Sequence, residues 1–199
     1  MVIKNLISMA AIVAFSACST APTNTESDAI INNIMTRTSI RQYTSQQVEA
    51  EKVETILKAA MAAPTAVNKQ PWAFVVIDQR SVLDTLASHT RSHHMLSQAP
   101  LAIVVCGDMD KALEGEAQPY WIEDCSAAME NLLLSAHGLG LGAVWLGVYP
   151  IQERVEQVSR TLALPANIVP LGIASIGYPA QSPELKDKWN PEAVHSNKW

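Results

Sequence analysis

The chain has 199 residues, of which 48% are hydrophobic and 17% are charged, and its formal net charge is −5. This composition is globular, and the length suits one domain with a substantial core. A mildly acidic chain offers no electrostatic support for nucleic-acid binding, and no internal apolar stretch is long enough to predict a membrane span.

The first 18 residues have a pattern of their own. Lys4 precedes an apolar run from Leu6 to Phe15, and two small residues then lead to Cys18. This order predicts a signal peptide over residues 1–18, and its ending Phe-Ser-Ala-Cys resembles a bacterial lipobox, in which the cysteine carries lipid. We therefore expect an exported, membrane-anchored lipoprotein with a flexible tether over residues 19–28. The alternatives are an ordinary N-terminal helix, cleavage without lipid, or an internal start that leaves the protein in the cytoplasm.

Residues 29–199 alternate helical and strand patterns and are predicted to form one domain. Apolar spacing predicts a first helix capped by Ser27 or Asp28, and a second helix that ends before Pro64. Because the strand patterns are continuous apolar runs between helices, we predict an α+β fold whose mixed sheet is covered by helices and contains parallel pairs. Gly172 is predicted to mark a bulge or a close approach. The predicted helices are 30–35, 53–61, 82–87, a central buried helix over 122–139, and 155–162, and the predicted strands are 73–77, 101–107, 143–149 and 168–179.

Motifs for protein-based catalysis are missing from the sequence. The chain has no G-x-S-x-G, H-E-x-x-H or P-loop pattern, and the glycines of "GLGLG" follow a helix and predict a turn. His89, His93 and His94 have no partner at ligand spacing, so they predict a solvated helix end and not a metal site. Cys106 and Cys125 fall in apolar patterns and are predicted to be buried thiols, although export would permit a disulfide. We therefore expect a cofactor to supply the chemistry.

Two polar stretches interrupt the apolar patterns. The segment "RTSIR", from Arg37 to Arg41, places guanidinium groups on either side of a hydroxyl, a set that either binds phosphate or lies in a solvated loop. The segment "PTAVNKQPWAF" follows the second helix and places Thr65, Asn68 and Gln70 before a strand. These side chains either belong to a plain loop or present hydrogen-bonding groups to a flat polar ligand.

The last 20 residues show little periodicity of their own. They contain Trp189 and Trp199, which would be costly to leave in water, so we expect this tail to lie across another surface, most naturally that of a partner subunit. Lys186 and Lys188 add two positive charges, which either bind a phosphate or are solvated.

Taken together, "RTSIRQY", "APTAVNKQPWAF", "GLGAVWLGVYP" and a basic tail ending in "HSNKW" resemble the nitroreductase family of FMN-dependent oxidoreductases, from about Ile30 to Trp199. The resemblance implies an FMN-binding homodimer with C-terminal arm exchange and flavin sites at the interface. It also implies no metal and no catalytic side chain, since the chemistry takes place on FMN. The implied FMN-binding residues are Arg37, Thr38, Ser39 and Arg41 at the phosphate and one ring edge, Pro64, Thr65, Asn68 and Gln70 from the other subunit, Leu146 and Gly147 near the flavin N5, and Lys186 and Lys188 as further phosphate ligands.

The implied reaction is a ping-pong transfer of electrons from NADH or NADPH to nitroaromatic or quinone acceptors. One alternative is an enzyme of the same fold that performs reductive dehalogenation or flavin fragmentation, and another is a flavin-binding module without turnover. Relatives with such other chemistry add a lid, whereas the segment from Asp108 to Trp121 is short and acidic and favours an open pocket. Export creates a conflict, because nicotinamide cofactors are scarce outside the cytoplasm. A different donor, an internal start or a misread signal would each resolve it.

Overall fold

The computed structural model describes residues 25–199, and the predicted signal peptide with its lipidation site Cys18 lies outside this range. Residues 25–199 form five α-helices and four β-strands. The helices are α1 (Glu26–Thr36), α2 (Ala50–Met61), α3 (Arg80–Ser88), α4 (Tyr120–Gly138) and α5 (Gln152–Leu162), and the strands are β1 (Trp72–Ile77), β2 (Leu101–Asp108), β3 (Gly142–Gly147) and β4 (Ile168–Gly177). None of the helices in this range is long and apolar enough to cross a membrane.

Helix α1 begins earlier than the sequence predicted. Its cap is Thr25, and not Ser27 or Asp28, because the Thr25 hydroxyl accepts from the Asp28 N–H while the Asp28 carboxylate accepts from the Thr25 N–H. This reciprocal pair is a capping box, in which each partner satisfies an otherwise unpaired backbone donor. The helix therefore starts at Glu26, inside the stretch that was predicted to be a tether.

The four strands form a sheet in the order β1-β2-β4-β3. The α+β fold with a helix-covered sheet is confirmed, but the predicted parallel pairs are wrong, because all three strand pairs in residues 25–199 are antiparallel. A continuous apolar strand indicates burial on both faces and not strand direction. Both faces are indeed covered, since one buried cluster lies between the sheet and helices α2 and α4, and the other lies under α3 and α5.

Gly172 lies at a β-bulge, next to the unpaired Leu171, and is also a point of close approach, as predicted. The β2–β4 register shifts there, with Val105 opposite Gly172 and Cys106 opposite Pro170. A side chain at position 172 would collide with the indole of Trp145 on the neighbouring strand. Position 172 on β4 therefore accepts only a residue without Cβ, because Trp145 of β3 lies against it.

Helix α4 is central, as predicted, and three of its faces make contacts with other parts of the chain. One face is apolar and contributes most of the helix's buried residues. A second face carries Asp124 and Asn131, two turns apart, and Asn131 donates to the Ala59 carbonyl of α2 at 3.1 Å. A third carries Glu130 and His137, which face Arg37 and Thr36 at the end of α1. Because Asp124 also accepts from the Ala66 N–H, the helix contacts both polar stretches that the sequence singled out.

The two cysteines of the described range are buried and free, as predicted. Cys106 belongs to the cluster on one face of the sheet and Cys125 to the cluster on the other, so their side chains do not meet. The Cys125 thiol instead lies 3.4 Å from the Cys106 carbonyl oxygen. Burial raises the pKa of each thiol to about 12, which keeps both protonated and unreactive.

Candidate functional site

Residues 37–41, which we call the arginine strap, lie along the outer edge of β3. Ser39 pairs with Ala143 as a parallel bridge, and the Ile40 N–H donates to the Ala143 carbonyl at 3.0 Å. The Tyr43 hydroxyl donates to the Ile40 carbonyl at 2.7 Å and so holds the strap in place. Burial raises the pKa of Tyr43 to about 12, so the hydroxyl keeps its proton and remains a donor. The strap is therefore a fixed element, and the Arg41 side chain projects from it into solvent.

The first arginine of the strap is held by helix α4. The Arg37 Nε lies 3.5 Å from the Glu130 Oε1, and the Arg37 side chain is only 19% exposed. Next to it, the Thr36 hydroxyl lies 2.9 Å from the His137 Nε2. Burial, and then the Arg37 charge, lower the pKa of His137, so this imidazole stays neutral beside the guanidinium. The orientation of Arg37 is set before any ligand arrives.

A cleft of ≈ 700 Å³ opens beside the strap at the end of β3. It brings together three residues that the sequence predicted, namely Arg41, Leu146 and Gly147. Leu146 is buried whereas Gly147 is exposed, and no described atom lies within 4 Å of where a Gly147 side chain would start. The backbone at the end of β3 is therefore open to a flat ligand.

Several residues of this cleft were missed by the sequence analysis. The short 3-10 helix Arg91–Ser97 contributes Arg91, Ser92 and His94 to the lining, and Thr90, which precedes this helix, contributes as well. Arg154 lines it from α5, and its Nη1 donates to the Gly147 carbonyl at 2.9 Å. The local signal was polar residues alternating with buried ones in "TRSHHML", but nothing in the sequence linked that segment to β3. Arg154 had no signal, because a charged residue on an amphipathic helix is ordinary.

The prediction of a solvated helix end is wrong for His93. This side chain is completely buried, and neither of its ring nitrogens has a hydrogen-bond partner within residues 25–199. Burial lowers the pKa of His93, and the charge of Arg154 adds to this shift. No group of metal ligands occurs in the described part of the chain, and His94, the neighbour of His93, faces the cleft.

Residues 64–70, which we call the left-handed loop, connect α2 to β1. Val67, Asn68 and Gln70 have φ values of 50°, 55° and 50°, which are rare for residues other than glycine. The loop is held internally, because the Gln70 N–H donates to the Thr65 hydroxyl at 3.1 Å and the Gln70 amide donates to the Asn68 side chain at 3.0 Å. Asn68 and Gln70 are exposed, as is Pro64, so the predicted hydrogen-bonding groups face outward from the chain.

The strap and the loop lie at opposite edges of the sheet. The loop runs into β1 and the strap flanks β3, and β2 and β4 separate these two strands. Three strand spacings amount to about 14 Å. The chain on its own therefore divides the predicted site residues between two surfaces, with Arg37, Thr38, Ser39, Arg41, Leu146 and Gly147 on one and Pro64, Thr65, Asn68 and Gln70 on the other.

The tail leaves the fold after Ala180, whose N–H donates to the Gln42 carbonyl. Trp189 is 73% exposed and Trp199 is fully exposed in the single chain. Lys186 and Lys188 are exposed and do not belong to the cleft lining. This chain's own tail therefore does not complete its own cleft.

The segment considered for a lid contributes to the core instead. Trp121 is buried and packs edge to face with Tyr149 at a centroid distance of 5.0 Å. Tyr120 is 47% exposed at the start of α4. Core packing is therefore the role of Trp121, and the cleft beside β3 remains open.

Comparison with known proteins assigns the family. The profile described as "Nitroreductase family" matches residues 34–93 and 83–178. A protein of Archaeoglobus fulgidus, proposed to be an NADH dehydrogenase/NAD(P)H nitroreductase, is 45% identical over 169 residues, which cover 83% of this chain and 96% of that protein. The chain belongs to the nitroreductase family, and the prediction of an oxidoreductase enzyme is confirmed at that level.

Solved structures agree with this assignment. A proposed NADH dehydrogenase/NAD(P)H nitroreductase of Bacteroides thetaiotaomicron matches with a TM-score of 0.81 at 42% identity, over 86% of this chain and 98% of that one. A proposed nitroreductase of Desulfovibrio desulfuricans, solved in complex with FMN, matches with a TM-score of 0.72 at 34% identity, over 85% of this chain and 97% of that one.

Proposed function

We propose that the chain is an FMN-dependent oxidoreductase that transfers electrons from NAD(P)H to small acceptors such as nitroaromatics and quinones. The observation that carries the proposal is the cleft beside β3, where Arg41 meets the open backbone of Gly147. The FMN complex of the Desulfovibrio relative supports the cofactor, and the description of the Archaeoglobus relative supports the donor.

The residues present fit a flat, anionic cofactor. The cleft volume of ≈ 700 Å³ is in the range of small-molecule sites, and three arginines, Arg41, Arg91 and Arg154, line it. Among residues 25–199, no carboxylate side chain belongs to the lining. The strap would bind the phosphate and one ring edge through Arg37, Ser39 and Arg41, and the backbone at Leu146 and Gly147 would face the ring. When bound, FMN would accept electrons from NAD(P)H and pass them to the acceptor.

The protein's part in this reaction is positioning and charge. The arginines favour negative charge in the cleft, which lowers the free energy of an anionic bound state. Arg154 donates to the Gly147 carbonyl and so stabilises the backbone that would face the ring. Because a single open cleft would serve donor and acceptor in turn, we expect ping-pong kinetics, with parallel lines in double-reciprocal plots.

The active form we propose is a homodimer in which each site combines the strap of one chain with the left-handed loop of the other. The position of the two halves at opposite edges of the sheet supports this arrangement. So does the exposure of large apolar side chains in the single chain, which a partner would cover. The most exposed of these are Ile30, Ile31, Met35, Val67, Leu185, Trp189 and Trp199. We propose that the tail embraces the partner and brings Lys186 and Lys188 toward a phosphate.

A visible absorption spectrum of a chain beginning at Ser19 tests the function. We expect flavin bands that bleach with anaerobic NADH or NADPH and return when a nitroaromatic or a quinone is added. Bands that persist with both nicotinamides would refute the donor, and bands that bleach but do not return would refute the acceptors. A protein that shows no flavin, even after FMN is added, would contradict the cofactor proposal.

We also propose that the chain is exported and anchored through lipid on Cys18. The support is the order of Lys4, an apolar run and small residues before this cysteine. We expect fatty-acid labelling and membrane association of the full chain, both lost in Cys18→Ala. A full-length, unlabelled and soluble product would refute the anchor. Confirmed export would favour a reduced carrier at the membrane as the donor in the cell.

A further inference from the structure

A buried carboxylate on α4 is bonded to the left-handed loop. Asp124 is 6% exposed, and its Oδ1 accepts from the Ala66 N–H at 2.7 Å. A carboxylate is costly to bury unless it receives good hydrogen bonds, and one that accepts from a backbone N–H makes a short, strong bond. Asp124 therefore has a local task, and the packing of α4 alone does not explain a charged residue there.

The strained backbone of the loop is held by an external anchor in addition to its internal hydrogen bonds. Three residues, Val67, Asn68 and Gln70, have positive φ without being glycine. Backbone of this kind persists only where the surroundings hold it in place. This support enters at Ala66, whose N–H donates to Asp124 and whose carbonyl accepts from the Lys69 N–H at 3.1 Å.

The same helix also holds the other half of the candidate site. Asn131, two turns after Asp124, bonds the end of α2 through the Ala59 carbonyl, so one face of α4 fixes both ends of the turn into the loop. Another face holds Arg37 of the strap through Glu130. In the proposed homodimer, the strap and the loop of one chain would serve two different FMN molecules.

We propose that Asp124 is a positioning residue that acts across the dimer: through Ala66 it holds the left-handed loop in the shape that binds the FMN seated on the partner's strap. This inference rests on the proposed function. Asp124 of one chain would thus affect how tightly FMN binds at the strap of the other chain. Asp124 itself does not touch the cofactor in this arrangement.

Two variants separate this role from a general loss of structure. Asp124→Ala removes the acceptor, and we expect the Kd for FMN, measured by fluorescence quenching, to rise at least about 10-fold. Asp124→Asn keeps an oxygen without the charge and should fall between the wild type and Asp124→Ala. In the apoprotein, amide hydrogen exchange of residues 64–70 should accelerate in Asp124→Ala while exchange in β2 and β4 stays slow. The matched control is Glu123→Ala, the exposed neighbour, which should change neither quantity.

A mixed dimer tests the action across the interface. An Asp124→Ala chain and an Arg41→Ala chain, carrying different affinity tags, are combined and the mixed species is isolated. If Asp124 supports the partner's site, one site of the mixed dimer pairs an intact strap with an intact loop. We then expect one FMN per dimer at close to wild-type affinity. If Asp124 instead supports the strap of its own chain, or if its loss disrupts the whole of that chain, no high-affinity site returns, and this result overturns the proposal.

Failure of the proposed function has a different signature. Wild-type protein that binds no FMN refutes the function and this inference together. Wild-type protein that binds FMN, with an unchanged Kd and unchanged loop exchange in Asp124→Ala, overturns the inference alone.

Discussion

Individual cations define the chemistry that the cleft supports. Within residues 25–199, the one hydrogen bond of the Arg41 side chain is a long one, since its Nη1 lies 3.5 Å from the Ser39 carbonyl oxygen. Its charge is therefore available to a ligand, unlike that of Arg37, which is partly neutralised by Glu130. An arginine with available donors next to an open backbone is suited to phosphate oxygens or a polar ring edge.

Arg41→Ala should weaken FMN binding without unfolding the protein. A hydrogen bond to a charged group contributes about 1.5–3 kcal/mol, so the Kd should rise roughly 10- to 150-fold. The measurement is a fluorescence titration of apoprotein with FMN. The control is Arg160→Ala, an exposed arginine on α5 outside the cleft lining, which should leave the Kd unchanged. Equal Kd values for the two variants would contradict the prediction that Arg41 binds FMN.

Two histidines, the buried His93 and the half-buried His89, make stability depend on pH. Burial lowers the pKa of His93 and of His89 from its ordinary value near 6.5, so the unfolded chain takes up protons before the folded chain does. The free energy of unfolding should therefore be largest above pH 6.5 and fall on acidification, by up to about 1.4 kcal/mol per pH unit for each histidine.

Urea unfolding at pH 7.5, 6.5 and 5.5 measures this slope. His93→Gln removes one of the titrating groups and should flatten the decline below pH 6.5, even if the variant is less stable throughout. A variant whose slope equals that of the wild type would show that His93 does not contribute.

At the scale of elements, the strap and β3 act as one unit. The strap has no regular structure of its own and is placed by a bridge to Ala143 and by the burial of Ile40. Gly142 makes this approach possible, because a Cβ there would lie 2.6 Å from the Ile40 Cβ. The absence of one side chain on β3 thus decides where Arg41 is held.

Gly142→Ala should push the strap away from β3. We expect a loss of about 1–3 kcal/mol in the free energy of unfolding, because backbone and Ile40 must both shift. FMN affinity should fall as well, as the arginines move with the strap. Chemical denaturation and FMN titration measure the two effects.

Gly138→Ala is the matched control for this change. It lies in the last turn of α4, and its new Cβ would be 3.4 Å from the flexible Asn33 side chain. Because alanine is the better helix former, stability should be unchanged or slightly higher. A Gly142→Ala protein that is as stable as this control would refute the packing argument.

At the scale of the whole molecule, the single chain leaves large apolar side chains uncovered. Its sheet is covered on both faces, yet α1 has no buried residue and the tail exposes Leu185, Trp189, Val194 and Trp199. Exposed apolar groups on this scale indicate an interaction surface. A second copy would account for them and would also join the strap to the loop.

A chain ending at Gln181 should form a weaker dimer. Burying two tryptophans contributes about 3 kcal/mol or more, so the dimer Kd should rise roughly 100-fold or more on truncation. Sedimentation velocity over a range of concentrations measures it. The control variant Lys186→Ala with Lys188→Ala should stay dimeric but bind FMN less tightly. A truncated chain that dimerises like the wild type would contradict the embrace by the tail.

Much of the fold and part of the site could be predicted from local patterns. Helix α4 and all four strands followed from apolar periodicity, because each reflects which neighbours in sequence share a face. The strap and the loop were identified because their polar residues interrupt these apolar patterns. The left-handed backbone of Val67 and Gln70 was not predictable, because neither residue type favours positive φ. It is held by hydrogen bonds within the loop and by the contact of Ala66 with Asp124, which only the structure reveals.

The sequence by itself determined the elements, the buried thiols, the family resemblance and the polar segments that could bind a cofactor. Only the tertiary structure decided that the strands run antiparallel, that His93 is buried, and that Arg91 and Arg154 join Arg41 in one cleft. It also decided that the strap and the loop lie at opposite edges of the sheet. The physical reason is that periodicity and turn residues act between neighbours along the chain, whereas strand direction, burial of a single side chain and assembly of a cleft depend on contacts between distant segments.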